Sequence, residues 1–119
     1  MNADDIPQLD YERLDVYRCA IQFLRIAIGI IGSLPRGESE LRLQLKTAAM
    51  SIPLNIAEGV GKPTAADRAR FHAIARGSAM ECGALLDVCA AIGGIPEDDA
   101  RTGKELLVRI VSMLTKMCR

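Results

Sequence analysis

The chain has 119 residues, half of them hydrophobic but only 3% aromatic, and 15 Lys and Arg are balanced by 15 Asp and Glu. That length suits one domain with a core of its own, and the apolar fraction excludes a disordered chain. The aromatics are Tyr11, Tyr17, Phe23 and Phe71, too few for a reader of single-stranded nucleic acid that stacks bases, and zero net charge argues against a general polyanion binder.

The N-terminal stretch, with Asp4, Asp5 and Asp10, is acidic and lacks the apolar run of a secretory signal. It is expected to form a flexible arm over residues 1–10, with the bundle over 11–119. The most apolar run, Ile26 to Gly32, is well short of the roughly 20 residues a membrane span needs. Cys19, Cys82, Cys89 and Cys118 form no Cys-x-x-Cys pair and fall inside helical patterns. They are expected to be reduced in a cytoplasmic protein, and no metal or other cofactor is expected.

The first helix is expected over Tyr11–Ile31. Leu14, Tyr17, Ile21, Leu24, Ile28 and Ile31 form one line, with Val16, Ala20, Phe23, Ala27 and Ile30 beside it. Together they cover an arc of about 160°, broader than a helix facing one core needs, and that surplus suggests contact with another subunit. The second helix is expected over Glu38–Glu58 on a core line of Leu41, Leu45, Ala48, Ile52 and Ile56. Pro53 lies within it and predicts a kink near Ala49, and Gly59 is placed as its C-terminal cap. Thr64 with Asp67 opens the third helix as a capping pair. Its core face is expected to be Phe71, Ala75, Ser78, Cys82, Leu85, Cys89 and Ile92, with Gly93 as the stop. The fourth helix begins near Pro96, with Glu97, Asp98 and Asp99 at its positive dipole end, and buries Leu107, Ile110, Leu114 and Met117. Four helices joined by three short Gly/Pro turns predict an all-α, antiparallel up-down four-helix bundle.

No dinucleotide or phosphate loop, zinc-protease or serine-hydrolase motif is present. The densest polar signal is Gln44, Ser51, Asn55 and Glu58 on one face of the second helix, with Ser78 and Glu81 on the third. Polar residues on a core-like line form either a satisfied network, a subunit seam or a recognition site. A Glu58–Glu81 acid pair would need a nucleophile, a metal or a phosphate loop beside it, and none accompanies it. His72 is expected at the surface or an interface, because its neighbour Phe71 takes the core position.

The order and spacing of these residues carry a resemblance. Ser51-Ile52-Pro53-x-Asn55-Ile56-Ala57-Glu58-Gly59 is similar to the signature of the proteins encoded in intervening sequences of 23S ribosomal RNA genes. Leu14-Asp15-Val16-Tyr17, Gln44-Leu45-x-x-Ala48-Ala49 and Asp67-x-x-Arg70-Phe71-x-x-Ile74-Ala75-x-Gly77-Ser78-x-x-Glu81 resemble the family's other segments in order, over roughly residues 14–117. The chain departs from the pattern at Tyr17, where Trp is usual, at Lys46-Thr47, where the family often has paired basic residues, and at the turn Lys62-Pro63-Thr64. The resemblance implies a non-enzymatic bundle assembled as a cyclic homo-oligomer, a pentamer, of largely unassigned role. A more distantly similar bundle, the accessory variability protein of diversity-generating retroelements, works with a reverse transcriptase and binds nucleic acid. That likeness extends the expectation to structured RNA or a ribonucleoprotein partner, the alternative being an adaptor that binds protein alone.

Charge by segment supports a local version of such binding. Residues 1–15 sum to −4, 16–35 to +2, 36–80 to +3, 81–100 to −5 and 101–119 to +4, so neutrality is a cancellation. An up-down fold gathers Lys62, Arg68, Arg70, Lys116 and Arg119 at one end, and Asp87, Glu97, Asp98 and Asp99 at the other. The candidate nucleic-acid contacts are Lys62, Arg68 and Arg70, with Arg42, Lys46 and Arg76 beside them.

Overall fold

The protein is described by a computed structural model over residues 6–119, so the first five residues of the expected acidic arm lie outside the described residues. Glu12 accepts the Leu9 amide proton at 2.6 Å and closes a 3-10 turn, Asp10–Arg13. Leu14 then takes an extended backbone (φ −77°, ψ 130°), and only after it does α1 begin, Asp15–Ser33. The helix expected from Tyr11 therefore starts four residues later. Three further helices follow: α2, Ser39–Val60; α3, Ala65–Ile92; and α4, Glu97–Met117. No strand occurs among the described residues.

The helix ends follow local chemistry. Thr64 Oγ1 accepts the Asp67 amide at 3.2 Å and caps α3. Gly93 stops the same helix at φ +83°, a conformation that a side chain would resist. Three acids occupy the first turn of α4, where they meet the positive end of its dipole. The α1–α2 and α3–α4 connections touch. Ser33 Oγ donates to the Gly94 carbonyl at 3.2 Å, and a Cβ on Gly94 would lie 2.7 Å from Pro35 Cδ. Only glycine fits there.

Each helix packs on two others. α1 contacts α2 and α4, α3 contacts α2 and α4, and neither diagonal pair approaches closely. The enclosed core is aliphatic, built around Phe23, Ile30, Leu45, Ile52, Ile56, Leu86, Ile110 and Leu114, all fully buried. Each such side chain contributes about 1.5–3 kcal/mol by leaving water.

The expected core line of α2 is buried at every position. On α1, the line of Val16, Ala20, Phe23, Ala27 and Ile30 faces the core, with Cys19. The neighbouring Leu14, Tyr17, Leu24 and Ile31 pack half-buried against its flanks. Contact with both α2 and α4 accounts for most of the broad apolar arc, and Ile28 is the large residue of that arc left well exposed, at 55%. By length and apolar content alone, α1 is the described helix that could cross a bilayer, but Val16, Cys19, Ala20, Phe23, Ala27 and Ile30 face this core.

The expectations need correction at three other places. His72, not Phe71, enters the core of α3, and Ala79 and Leu86 join it. Ile92 lies outside. Gly59 is a buried residue inside α2, whose C-terminal cap is Gly61. Pro53 is buried inside α2, which spans it without interruption.

Candidate functional site

The polar signature falls on the seam between α2 and α3. Ser51 and Ser78 place their Oγ atoms 2.8 Å apart across that seam, and either can donate. Asn55, one turn on from Ser51, donates from Nδ2 to Ser51 Oγ at 2.9 Å and to the Ser51 carbonyl at 2.8 Å. Three side chains thus form a half-buried chain of hydrogen bonds that ties the helices at mid-length. No acid or imidazole joins it, so the network holds no base to activate either serine.

The other signature residues stand apart. Gln44 is exposed and donates to Glu40 on its own helix at 3.4 Å. Glu58 and Glu81 are both exposed, and Glu58 faces Lys62 at 3.6 Å. Among the described residues no three His, Cys, Asp or Glu side chains are grouped to hold a metal ion.

Pro53 and Gly59 serve packing. A Cβ on Gly59 would lie 2.7 Å from Nε2 and 2.8 Å from Cδ2 of His72, and 3.2 Å from Phe71 Cβ. Glycine at 59 makes room for the imidazole, which is 5% exposed and has no hydrogen-bond partner at either ring nitrogen. Sequence reasoning missed this pairing, because neither residue has a polar partner that would mark it.

The six basic candidates divide in two. Arg42 donates to the carbonyls of Ile31, Leu34 and Pro35, at 3.4, 2.8 and 2.8 Å, and closes the C-terminal end of α1. Arg68 does the same for Lys62 and Pro63 at 3.0 and 3.1 Å. Arg76 bonds Thr115 Oγ1 at 2.8 Å and joins α3 to α4. These three guanidinium groups hold the bundle together.

Lys62 and Arg70 lie over the Phe71 ring, at 4.9 and 4.6 Å from its centre, beside the α2–α3 turn. Arg70 also faces Asp67 at 3.9 Å. Lys46 is exposed and has no hydrogen-bond or ion-pair partner among the described residues. Arg42 lies in the first turns of α2 and Lys62 just past its C-terminal cap, about 30 Å along the helix direction, so the six do not make one patch.

The side of α2 opposite its core line is apolar as well. Leu43, Met50 and Leu54 run along it with Thr47, and Leu43 and Leu54 are 66% and 61% exposed. Their spacings of seven and four residues are a helical line in their own right, and that signal could have been found from the sequence.

All four cysteines are free thiols, with Cys19, Cys82 and Cys89 buried. Burial pushes Cys82 up to about 12, with the neighbouring Glu81 charge adding to the effect. Burial also raises Cys89, opposed by a backbone hydrogen bond and assisted by Glu38.

A protein-family model described as 23S rRNA-intervening sequence protein matches residues 12–116. No curated protein matches the chain.

Proposed function

The chain belongs to the 23S rRNA-intervening sequence protein family, and from that premise we propose that it is a non-enzymatic helical scaffold that works as a homo-oligomer in the cytoplasm. One observation carries this reading. α2 is apolar on both sides, with Leu41, Leu45, Ile52 and Ile56 buried in the bundle while Leu43, Met50 and Leu54 face solvent. A second apolar stripe left facing solvent is stabilised when something covers it. An up-down order of the four helices is part of the reading, supported by short turns and by contacts between sequence neighbours that close from α4 to α1. Five copies is the number the family resemblance implies. The absence of a base near Ser51 and Ser78 supports a non-catalytic role, and four free thiols suit a reducing compartment.

A second reading, contact with structured RNA or a ribonucleoprotein, is favoured by Lys62 and Arg70 stacked on Phe71 at the α2–α3 turn. Its footprint is smaller than six cations, because Arg42, Arg68 and Arg76 are engaged within the bundle.

Sedimentation of the protein at micromolar concentration, with and without a folded RNA at two salt concentrations, tests both readings. The scaffold reading expects assembly without RNA, and a monomer overturns it. The RNA reading expects a complex that weakens with salt and is lost in a Lys62→Ala, Arg70→Ala variant. Binding unchanged in that variant, or none at low salt, overturns it and leaves a protein-only adaptor.

A further inference from the structure

The arginines of the four helices are not all engaged alike. Arg18, Arg42, Arg68, Arg70, Arg76 and Arg101 each hydrogen-bond or ion-pair with another group of the chain. Arg25 on α1 and Arg109 on α4 are exposed and have no hydrogen-bond or ion-pair partner among the described residues. Both line one cleft between α1 and α4, about 410 Å³ in volume, together with Ile26, Glu105 and Leu106. A Cβ on the buried Gly103 would lie 3.5 Å from Phe23 Cε1 and 3.9 Å from Ile26 Cγ2, so α4 sits close on α1 beside the cleft. Ile26 and Leu106, half-buried and buried, supply its apolar floor. Glu105 and Arg109 are four residues apart on α4, a spacing at which acid and base commonly pair, yet they form no ion pair. The cleft therefore joins an apolar floor of small-molecule size to two guanidinium groups whose donors are free.

We propose that this cleft binds a small amphipathic monocarboxylate, its hydrocarbon body on Ile26 and Leu106 and its carboxylate held by Arg25 and Arg109. A guanidinium presents a planar fork of N–H donors that matches a carboxylate. Gln22 and Thr102 line the same cleft and can donate to the same group. Glu105 sets the charge of the ligand. Two cations and one anion leave the lining at +1, which suits a single negative charge. A polyphosphate or a nucleic-acid backbone would bring further negative charge against Glu105, and an organic cation would meet two guanidinium groups. The cleft lies apart from Lys62 and Arg70 at the α2–α3 turn, and the inference depends on neither the oligomer nor the RNA reading.

Calorimetric titration of the full chain with octanoate at neutral pH tests the inference. Two further probes separate its parts: octylammonium has the same body and the opposite charge, and acetate has the same charge and no body. Octanoate is expected to bind saturably, and the other two are not. Arg25→Gln and Arg109→Gln change exposed side chains, so circular dichroism melts should match the parent and show that each variant folds. Each should weaken octanoate binding about 10-fold. Glu105→Gln should tighten it about threefold by removing a like charge, a gain that damage to the fold does not produce. No saturable octanoate binding up to about 10 mM overturns the inference. So does octylammonium binding as tightly as octanoate, which would mean a general apolar surface. Octanoate affinity unchanged in both arginine variants also overturns it, because the carboxylate would then sit elsewhere.

Discussion

At residue scale, one close fit is Gly59 against His72. Adding one methyl at Gly59 meets the ring at 2.7 Å in a packed interior, and Gly59→Ala should lower stability by about 1–3 kcal/mol. His72 loses no hydrogen bond when replaced, since neither nitrogen makes one. Chemical denaturation of His72→Ala, Gly59→Ala and the double variant should show strong coupling, with Gly59→Ala nearly harmless once the ring is gone. Independent effects would place the ring elsewhere. Cys82 makes a second prediction. Its folded value is raised from 9.0 to about 12, so above pH 9 the unfolded chain releases a proton that the folded chain keeps. The stability that Cys82 contributes is therefore complete below pH 9 and is lost as pH rises from 9 toward 12. Thermal melts between pH 8 and 11 should fall less steeply for Cys82→Ala than for the parent, and equal slopes would count against it.

At the scale of elements, α3 depends on its first turn. Thr64→Ala removes the acceptor for the Asp67 amide and should cost about 1 kcal/mol in a denaturant titration. The seam between α2 and α3 depends on the Ser51–Ser78 contact and on Asn55 beneath it. Asn55→Ala should cost about 1 kcal/mol, the low end for a hydrogen-bonded group, because its partners lie on its own helix and it is only half-buried. A change within error would assign that polar run no share in stability. The helix positions, the Thr64 cap, the Gly93 stop and the core line of α2 were all legible, since each depends on neighbours within about one turn. Gln44 and Glu58 lie on the same line of α2 as Ser51 and Asn55, and Glu81 lies one turn on from Ser78 in α3, yet the structure joins only Ser51, Asn55 and Ser78. A helical line turns slowly about its axis, so only part of it meets the neighbouring helix.

At the scale of the whole molecule, stability rests on an aliphatic core with few large rings, and Phe23 is the aromatic side chain fully inside it. Phe23→Ala should cost about 3–5 kcal/mol by calorimetry or urea titration, and a loss under 1 kcal/mol would mean that the core collapses readily around the gap. Net charge read alone is misleading at this scale. The basic end that the charge count projects is partly absorbed, because Arg68 closes the α2–α3 turn while Lys62 and Arg70 stay on the surface around Phe71. Arg42 belongs to the far end of α2, where it closes α1.

The sequence by itself determined that this chain is four helices, where three of the four begin and end to within a few residues, and which family it belongs to. Those properties follow from caps, turn residues, apolar period and motif spacing, all short-range along the chain. Tertiary structure alone decided which of two adjacent apolar lines on α1 faces the core. It also decided that His72 turns inward while Phe71 stays at the edge under two cations, and which arginines serve as internal ties. One residue is a rotation of about 100° on a helix, and a broad apolar arc is satisfied by several rotations. Only the neighbouring helices, by the space they leave and the carbonyls they present, select one of them.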